Sequence, residues 1–211
     1  GLVQKTQKAM EIITRYFSDF TDEQIRQLAA LKGLYEEWNM KINVISRKDM
    51  DHFYEHHVLH SLAIATTFSF SAGMEVMDLG CGGGFPGIPL AILFPDARFH
   101  MVDSINKKLK VVSEVAASIG LQNLTVQHSR AEDIKNQKFD AVVSRAVAPL
   151  KDLWRWSRPL IRKNSAREDN PNGLVCLKGG DLAQEIFESG CKPMVWEIDQ
   201  FFQESYFKEK Y

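Results

Sequence analysis

The stretch Val76–Pro89, VMDLGCGGGFPGIP, limits the fold of this chain more than any other. It runs like a β-strand into a turn that packs five glycines into the eight residues Gly80–Gly87. Glycine loses more conformational freedom on folding than any other residue. A turn this rich in it implies that something bulky and polar lies against the backbone. Strand, glycine turn and helix in succession open the parallel α/β sheets that bind nucleotide-like ligands. Pro86 and Pro89 suit the first turn of that helix, where a missing N–H loses no partner.

The rest of the chain fits such a sheet. From Gly73 onward, EVMDL, RFHMVD, LTVQHS, FDAVVSR and GLVCLKG are short apolar runs rich in β-branched residues. Helix-like stretches at about 88–94, 107–119, 131–134 and 150–161 separate them. This alternation predicts a parallel sheet with helices on both faces. Near the end, MVWEIDQFF and SYFKEKY read as an antiparallel pair at the sheet edge, and 163–173, KNSAREDNPNG, as a polar loop. The first 70 residues are helical in pattern. A helix is expected over about 3–17; a second opens on the capping box Thr21–Gln24 and carries the stripe Leu28, Leu31, Tyr35 and Trp38. A third is expected over about 50–68. The expected organisation is a helical N-terminal extension, residues 1–70, followed by a Rossmann-like α/β domain, residues 71–211.

Composition removes several classes. With 45% hydrophobic and 25% charged residues in 211, the chain is globular and long enough for one domain with a small extension. No apolar run approaches the ~20 residues that span a bilayer, and the charged N-terminus is unlike a secretory signal. Cys81, Cys176 and Cys191 are too few and scattered for a disulfide framework or zinc site, which suits the cytoplasm. A formal charge of −1 gives no global pull towards nucleic acid, so any electrostatic footprint is local.

Two ligand templates overlap on the turn. Gly82, Gly84 and Gly87 satisfy the dinucleotide pattern G-x-G-x-x-G, whereas Asp78, Gly80, Gly82 and Gly84 satisfy D-x-G-x-G-x-G, the nucleotide-binding turn of S-adenosylmethionine methyltransferases. The second fits better, because Asp78 at the strand end can orient the turn or an ammonium group. Asp103, about 20 residues on, can accept the ribose hydroxyls that NAD and S-adenosylmethionine share. In SRAED, the backbone of Ala131 and Glu132 is placed to read an adenine edge.

Taken together, MDLGCGGGFPGIPLA, VDS, SRAED, FDAVVSRA, CLKG and the N-terminal Trp38-Asn39 with Asn43 resemble one family. It is the glucose-inhibited division protein B group, guanine-N7 methyltransferases of small-subunit (16S) ribosomal RNA. The resemblance implies a class I methyltransferase domain, the cofactor S-adenosylmethionine along Gly80–Phe85 and Asp103, and methyl transfer to N7 of a guanine. One stretch departs: where the family shows Arg-His-x-x-Asp-Ser, this chain has His56, His57, His60 and Ser61.

Guanine N7 carries a lone pair, so the implied reaction needs no base and rests on positioning and electrostatics. The (Asp/Asn)-Pro-Pro-(Tyr/Phe) motif of amino-group methylases is replaced here by SRAVAP, and Cys176 reads as core rather than as a nucleophile. Two strand-end cations remain on the rim of the glycine turn. Arg145 is expected to organise the cofactor or an RNA phosphate, and Lys178 to contact RNA near the target base. Lys151, Arg155, Arg158 and Arg162 recur at helical spacing, within a run from 151 to 167 that holds six basic residues and one acid. They form the candidate RNA surface. His52, His56 and His60 share one helical face, but no carboxylate or cysteine partner is evident and no metal is expected. The remaining readings are a methyltransferase acting on a small molecule or protein, an NAD-dependent oxidoreductase and a non-enzymatic nucleotide-binding module. A monomer is expected.

Overall fold

The structure is a computed structural model that describes residues 1–163 and 172–211. The polar loop expected at 163–173, with Arg167, lies outside them apart from its ends. Helices α1 (Leu2–Thr14) and α2 (Asp22–Asn39) open the chain. The Thr21 hydroxyl accepts from the Gln24 N–H, and the Gln24 side chain accepts from the Thr21 N–H. This reciprocal box satisfies two donors that a helix start leaves unpaired. Gln24 also donates to the Ile92 carbonyl at 3.0 Å, which docks the head of α2 on the sheet domain. Leu28, Leu31 and Tyr35 line the buried face of α2.

The single helix expected over 50–68 is broken into α3 (Arg47–Met50), a π-helical turn (Tyr54–Leu59), α4 (His60–Leu62) and a 3₁₀ turn (Ala63–Thr66). The wider π-turn changes which side chains point inward. His56, His57 and His60 are buried while His52 is exposed, so the three histidines expected on one face do not share an environment.

Among the described residues five strands form one sheet: β1 (Glu75–Leu79), β2 (Arg98–Asp103), β3 (Leu124–His128), β4 (Ala141–Ser144) and β5 (Leu174–Cys176). Their order is β3-β2-β1-β4-β5, and every pairing is parallel. Helices α5 (Gly87–Leu93), α6 (Asn106–Ser118), α7 (Leu150–Ser157) and α8 (Ala183–Ser189) complete the layers. Period-two alternation sends Val76, Phe99, Met101 and Val143 to a core shared with α1, α2, α5 and α6. Met77, Leu79, Val102 and Val142 go to a second core under Leu153 and Leu160.

The chain leaves β1 towards β2 and β3, then returns to β4 and β5 on the other side, so the carboxyl ends of β1 and β4 flank a topological switch point. The Ser144 hydroxyl ties them, donating to the Leu79 carbonyl at 2.8 Å.

The antiparallel edge is smaller than expected. MVWEIDQFF and SYFKEKY contain 3₁₀ turns at Ile198–Gln200 and Ser205–Phe207 and no strand. Among the described residues antiparallel pairing is limited to one bridge, Gly179 with Lys210, supported by reciprocal bonds between Lys178 and Tyr211. Phe202 and Phe207 have instead turned inward into the main core. Among the described residues no helix is long and apolar enough to cross a membrane.

Candidate functional site

Asp78 ends fully buried, and its Oδ2 accepts the Gly87 N–H at 2.7 Å, fastening the end of β1 to the start of α5. Burial pushes its carboxyl up to about 7, opposed by the Gly87 hydrogen bond and the charge of Arg145. Gly87 is required by close packing: a Cβ there would run into the Met101 sulfur and lie 2.8 Å from Asp78 Oδ2. Gly82 is different. Its φ is +55°, and an added Cβ would meet nothing within 4 Å, so the turn presents bare backbone to open space there.

Asp103 faces that backbone. Its Oδ2 accepts the Gly82 N–H and its Oδ1 the Ile105 N–H, both at 2.8 Å. Each carboxylate oxygen keeps a further lone pair, so the group is held rigid yet can still accept from a ligand's hydroxyls. Beside it lies a cavity of about 280 Å³ whose walls include Gly80, Asp103, Ala131, Glu132, Leu153 and Trp156. An apolar wall that includes Leu153 and Trp156, next to a carboxylate anchored on a glycine turn, fits an adenine attached to a ribose. These residues fit S-adenosylmethionine.

The turn is braced from α2. The Tyr35 hydroxyl donates to the Gly83 carbonyl at 2.6 Å. Asn39 folds the following loop by donating to the Ile45 carbonyl and accepting from the N–H groups of Val44 and Ile45. That places Val44 over Gly83, where a Cβ would come within 3.0 Å of its side chain. Trp38-Asn39, noted in the sequence as a signature, therefore precedes the loop that covers the turn.

Of the expected site residues, Gly80, Asp103, Ala131 and Glu132 line the cavity. Asp78 and Gly84 shape the turn from behind, Gly84 between Ile88 and Tyr35. Arg145 and Phe85 meet beside it: the guanidinium lies 5.3 Å from the ring centroid, donates to the His56 carbonyl at 3.2 Å and faces His57 Nδ1 at 2.9 Å.

Two expected site residues already have protein partners. Lys178 is not a free cation on the rim: its side chain is only 13% exposed, pairs with Glu185 at 2.6 Å and donates to the Ala148 carbonyl at 2.6 Å. Arg162 does not continue a basic stripe, because α7 ends at Ser157 and the chain bends. Arg162 instead pairs with Glu75 at 2.8 Å and Asp140 at 3.2 Å, at the amino end of β1 and so away from the glycine turn. Lys151, Arg155 and Arg158 are exposed, with Arg155 paired to Asp152 and lying 5.8 Å from the Trp156 ring centroid.

Burial pushes the Cys176 thiol up to about 12 and that of Cys81 upward as well, so neither is a ready nucleophile. Residues not anticipated for the site are Leu153 and Trp156 in the cavity and Tyr35 and Val44 over the turn. Only Trp156, interleaved with cations, carried a sequence signal.

Residues 24–208 match the family described as rRNA small subunit methyltransferase G (GidB). The chain is 56% identical over 204 residues to the ribosomal RNA small subunit methyltransferase G of Bacteroides thetaiotaomicron, covering 95% of this chain and 97% of that one. It is 53% identical over 200 residues to the protein of that name from Porphyromonas gingivalis, covering 95% and 90%. The fold is similar to that of coclaurine N-methyltransferase, solved with N-methylheliamine and SAH, at TM-score 0.51 and 16% identity, over 84% of this chain and 58% of that one.

Proposed function

The chain belongs to the rRNA small subunit methyltransferase G family, and on that premise we propose how it works: as an S-adenosylmethionine-dependent methyltransferase that carries a methyl group to N7 of a guanine in small-subunit ribosomal RNA. The observation that carries the reading is the Asp103 carboxylate locked onto the Gly82 N–H beside the 280 Å³ cavity.

When bound, S-adenosylmethionine supplies an electrophilic sulfonium methyl group. Asp103 would accept from the ribose hydroxyls, the backbone at Ala131 and Glu132 would read the adenine edge, and Leu153 and Trp156 would supply an apolar wall beside it. Asp78 keeps Gly80–Gly84 in the shape that the ligand needs. No residue has to remove a proton, because guanine N7 already presents a lone pair. The chain's contribution is alignment and exclusion of water. Arg145, held by His57 and Phe85, organises the wall next to the turn. Lys151, Arg155 and Arg158 supply cations for RNA phosphates. Lys178 and Arg162 serve the fold, given the partners that already occupy them. The division of labour is residues 71–211 for methyl transfer and 1–70 for bracing the turn. A monomer in the cytoplasm, where ribosomal RNA is processed, completes the proposal.

The experiment is radiolabelled methyl transfer from S-adenosylmethionine to small-subunit RNA and to small subunits from cells lacking the enzyme, with the modified base mapped. A single labelled guanine that becomes cleavable as N7-methylguanosine is expected. Label on another base, or only on protein, would overturn the assignment.

A further inference from the structure

We propose that His52, Glu55 and His56 form a binding site for one divalent transition-metal ion of the zinc class, apart from the methyl-transfer cavity. One ligand-type atom from each of the three side chains falls within a set no more than 4.8 Å across. His52 is exposed and Glu55 half-buried, so the site is open to solvent on one side, while His56 forms its buried floor.

His56 is held from two sides. Its Nδ1 lies 2.9 Å from Asp49 Oδ1, and its ring stacks on Tyr206 at 3.8 Å between centroids and 14° between planes. A carboxylate on one ring nitrogen fixes the tautomer and turns the lone pair of the other nitrogen outward, the arrangement by which proteins orient metal-binding imidazoles. Here that other nitrogen, Nε2, is 3.3 Å from Glu55 Oε2. Two ligands bonded at about 2.0–2.1 Å to one tetrahedral zinc ion stand about 3.3 Å apart. The pair is thus already spaced as two corners of one coordination sphere. His52, one helical step away, stacks on His56 with centroids 5.0 Å apart and offers the third corner; water completes the set.

Charge points the same way. Asp49 and Glu55 bring two carboxylates against the His56 imidazole, a negative charge that a divalent cation neutralises. Glu55 and His56 sit in the π-helical turn, a distortion found often at functional sites, and His52 lies just before it. The same turn supplies the His56 carbonyl and the His57 ring that hold Arg145, so an ion there would stiffen the seat of that guanidinium.

The test is calorimetric titration of tag-free, chelator-treated protein with Zn²⁺, and visible absorption during titration with Co²⁺. One equivalent is expected, with the d–d bands of a four-coordinate cobalt site. His52→Ala and Glu55→Gln should each weaken binding at least tenfold, and Asp49→Asn about tenfold or more through the orientation of His56. His100→Gln, elsewhere on the sheet, should leave binding unchanged. Zn²⁺ should raise the Tm of the wild type and not that of His52→Ala, whose exposed side chain can be removed without harm to the fold. Absence of stoichiometric binding would overturn the proposal, leaving the His56 ring as a bridge between Asp49 and Glu55 alone. So would binding that His52→Ala and Glu55→Gln do not alter.

Discussion

Nη2 of Arg145 lies 2.9 Å from Nδ1 of His57. A guanidinium can only donate, so the imidazole must accept at Nδ1, and His57 is neutral with its proton on Nε2. Burial, helped by the charge of Arg145, pulls its pKa down to about 3, in keeping with that tautomer. His57 is thus a positioning residue for Arg145, which also packs over Phe85.

That pairing makes the first prediction. Arg145→Met keeps the aliphatic packing and should lower methyl transfer well over tenfold with the fold intact. His57→Phe retains ring packing against Phe85 but deletes the acceptor; losing a hydrogen bond to a charged group, about 1.5–3 kcal/mol, corresponds to about 10- to 100-fold. The double variant should be no slower than Arg145→Met. Initial rates on ribosomal RNA check this, and additive losses would mean that the two do not act as a unit.

Stability should fall on mild acidification. His57 and His60 have pKa values lowered to about 3 by burial, below the ordinary 6.5 of the unfolded chain. The unfolded state therefore gains protons first, and each histidine removes up to about 1.4 kcal/mol per pH unit as pH drops from about 6.5 towards 3. Asp78, raised by burial to about 7, acts in the opposite sense between about 7 and 3.8, since its folded form holds a proton that the unfolded chain has shed. Two against one leaves a net loss of about 1.4 kcal/mol per unit between pH 6.5 and 4. Urea unfolding at pH 7.5 and 5.0 measures it, and His60→Leu should flatten the slope.

Two glycines of the same turn should fail in different ways. Gly87→Ala forces a methyl group into Met101 and Asp78 and should cost at least about 1–3 kcal/mol of stability. Gly82→Ala meets no neighbour; a left-handed φ costs about 1–2 kcal/mol, and the new methyl enters the space that the cofactor needs. Gly82→Ala should fold, with calorimetric affinity for S-adenosylhomocysteine down at least tenfold. Normal affinity would place the ligand elsewhere.

The basic residues should separate by salt dependence. Lys151→Gln and Arg158→Gln should each reduce the slope of log affinity for RNA against log salt by about 0.7–0.9. Arg162→Gln should leave that slope unchanged and cost about 1 kcal/mol or less of stability, because its partners are Glu75 and Asp140 and the group is partly solvated.

The glycine turn, the five strands and the α2 capping box were legible because each is written in neighbouring residues. The place of Asp103 against the turn was legible too, since the spacing from turn to second strand end is a local property of the unit. What escaped depends on distant partners. Lys178 reads as a free cation until Glu185 folds back onto it, and Arg162 reads as part of a stripe until Glu75 claims it. The π-turn is a choice of hydrogen-bond register made by packing. Through it Glu55, next to His56 in sequence, becomes its neighbour in space as well. The C-terminal segments have strand composition, yet their aromatic residues Phe202 and Phe207 gain more by burial than by edge pairing.

The phenol of Tyr35 on the Gly83 carbonyl has a consequence for reading genetic damage. Loss of that hydroxyl, on the second helix and more than forty residues upstream, would be scored as a fault of cofactor capture. A screen that sorted variants by distance from the methyl donor would misfile it.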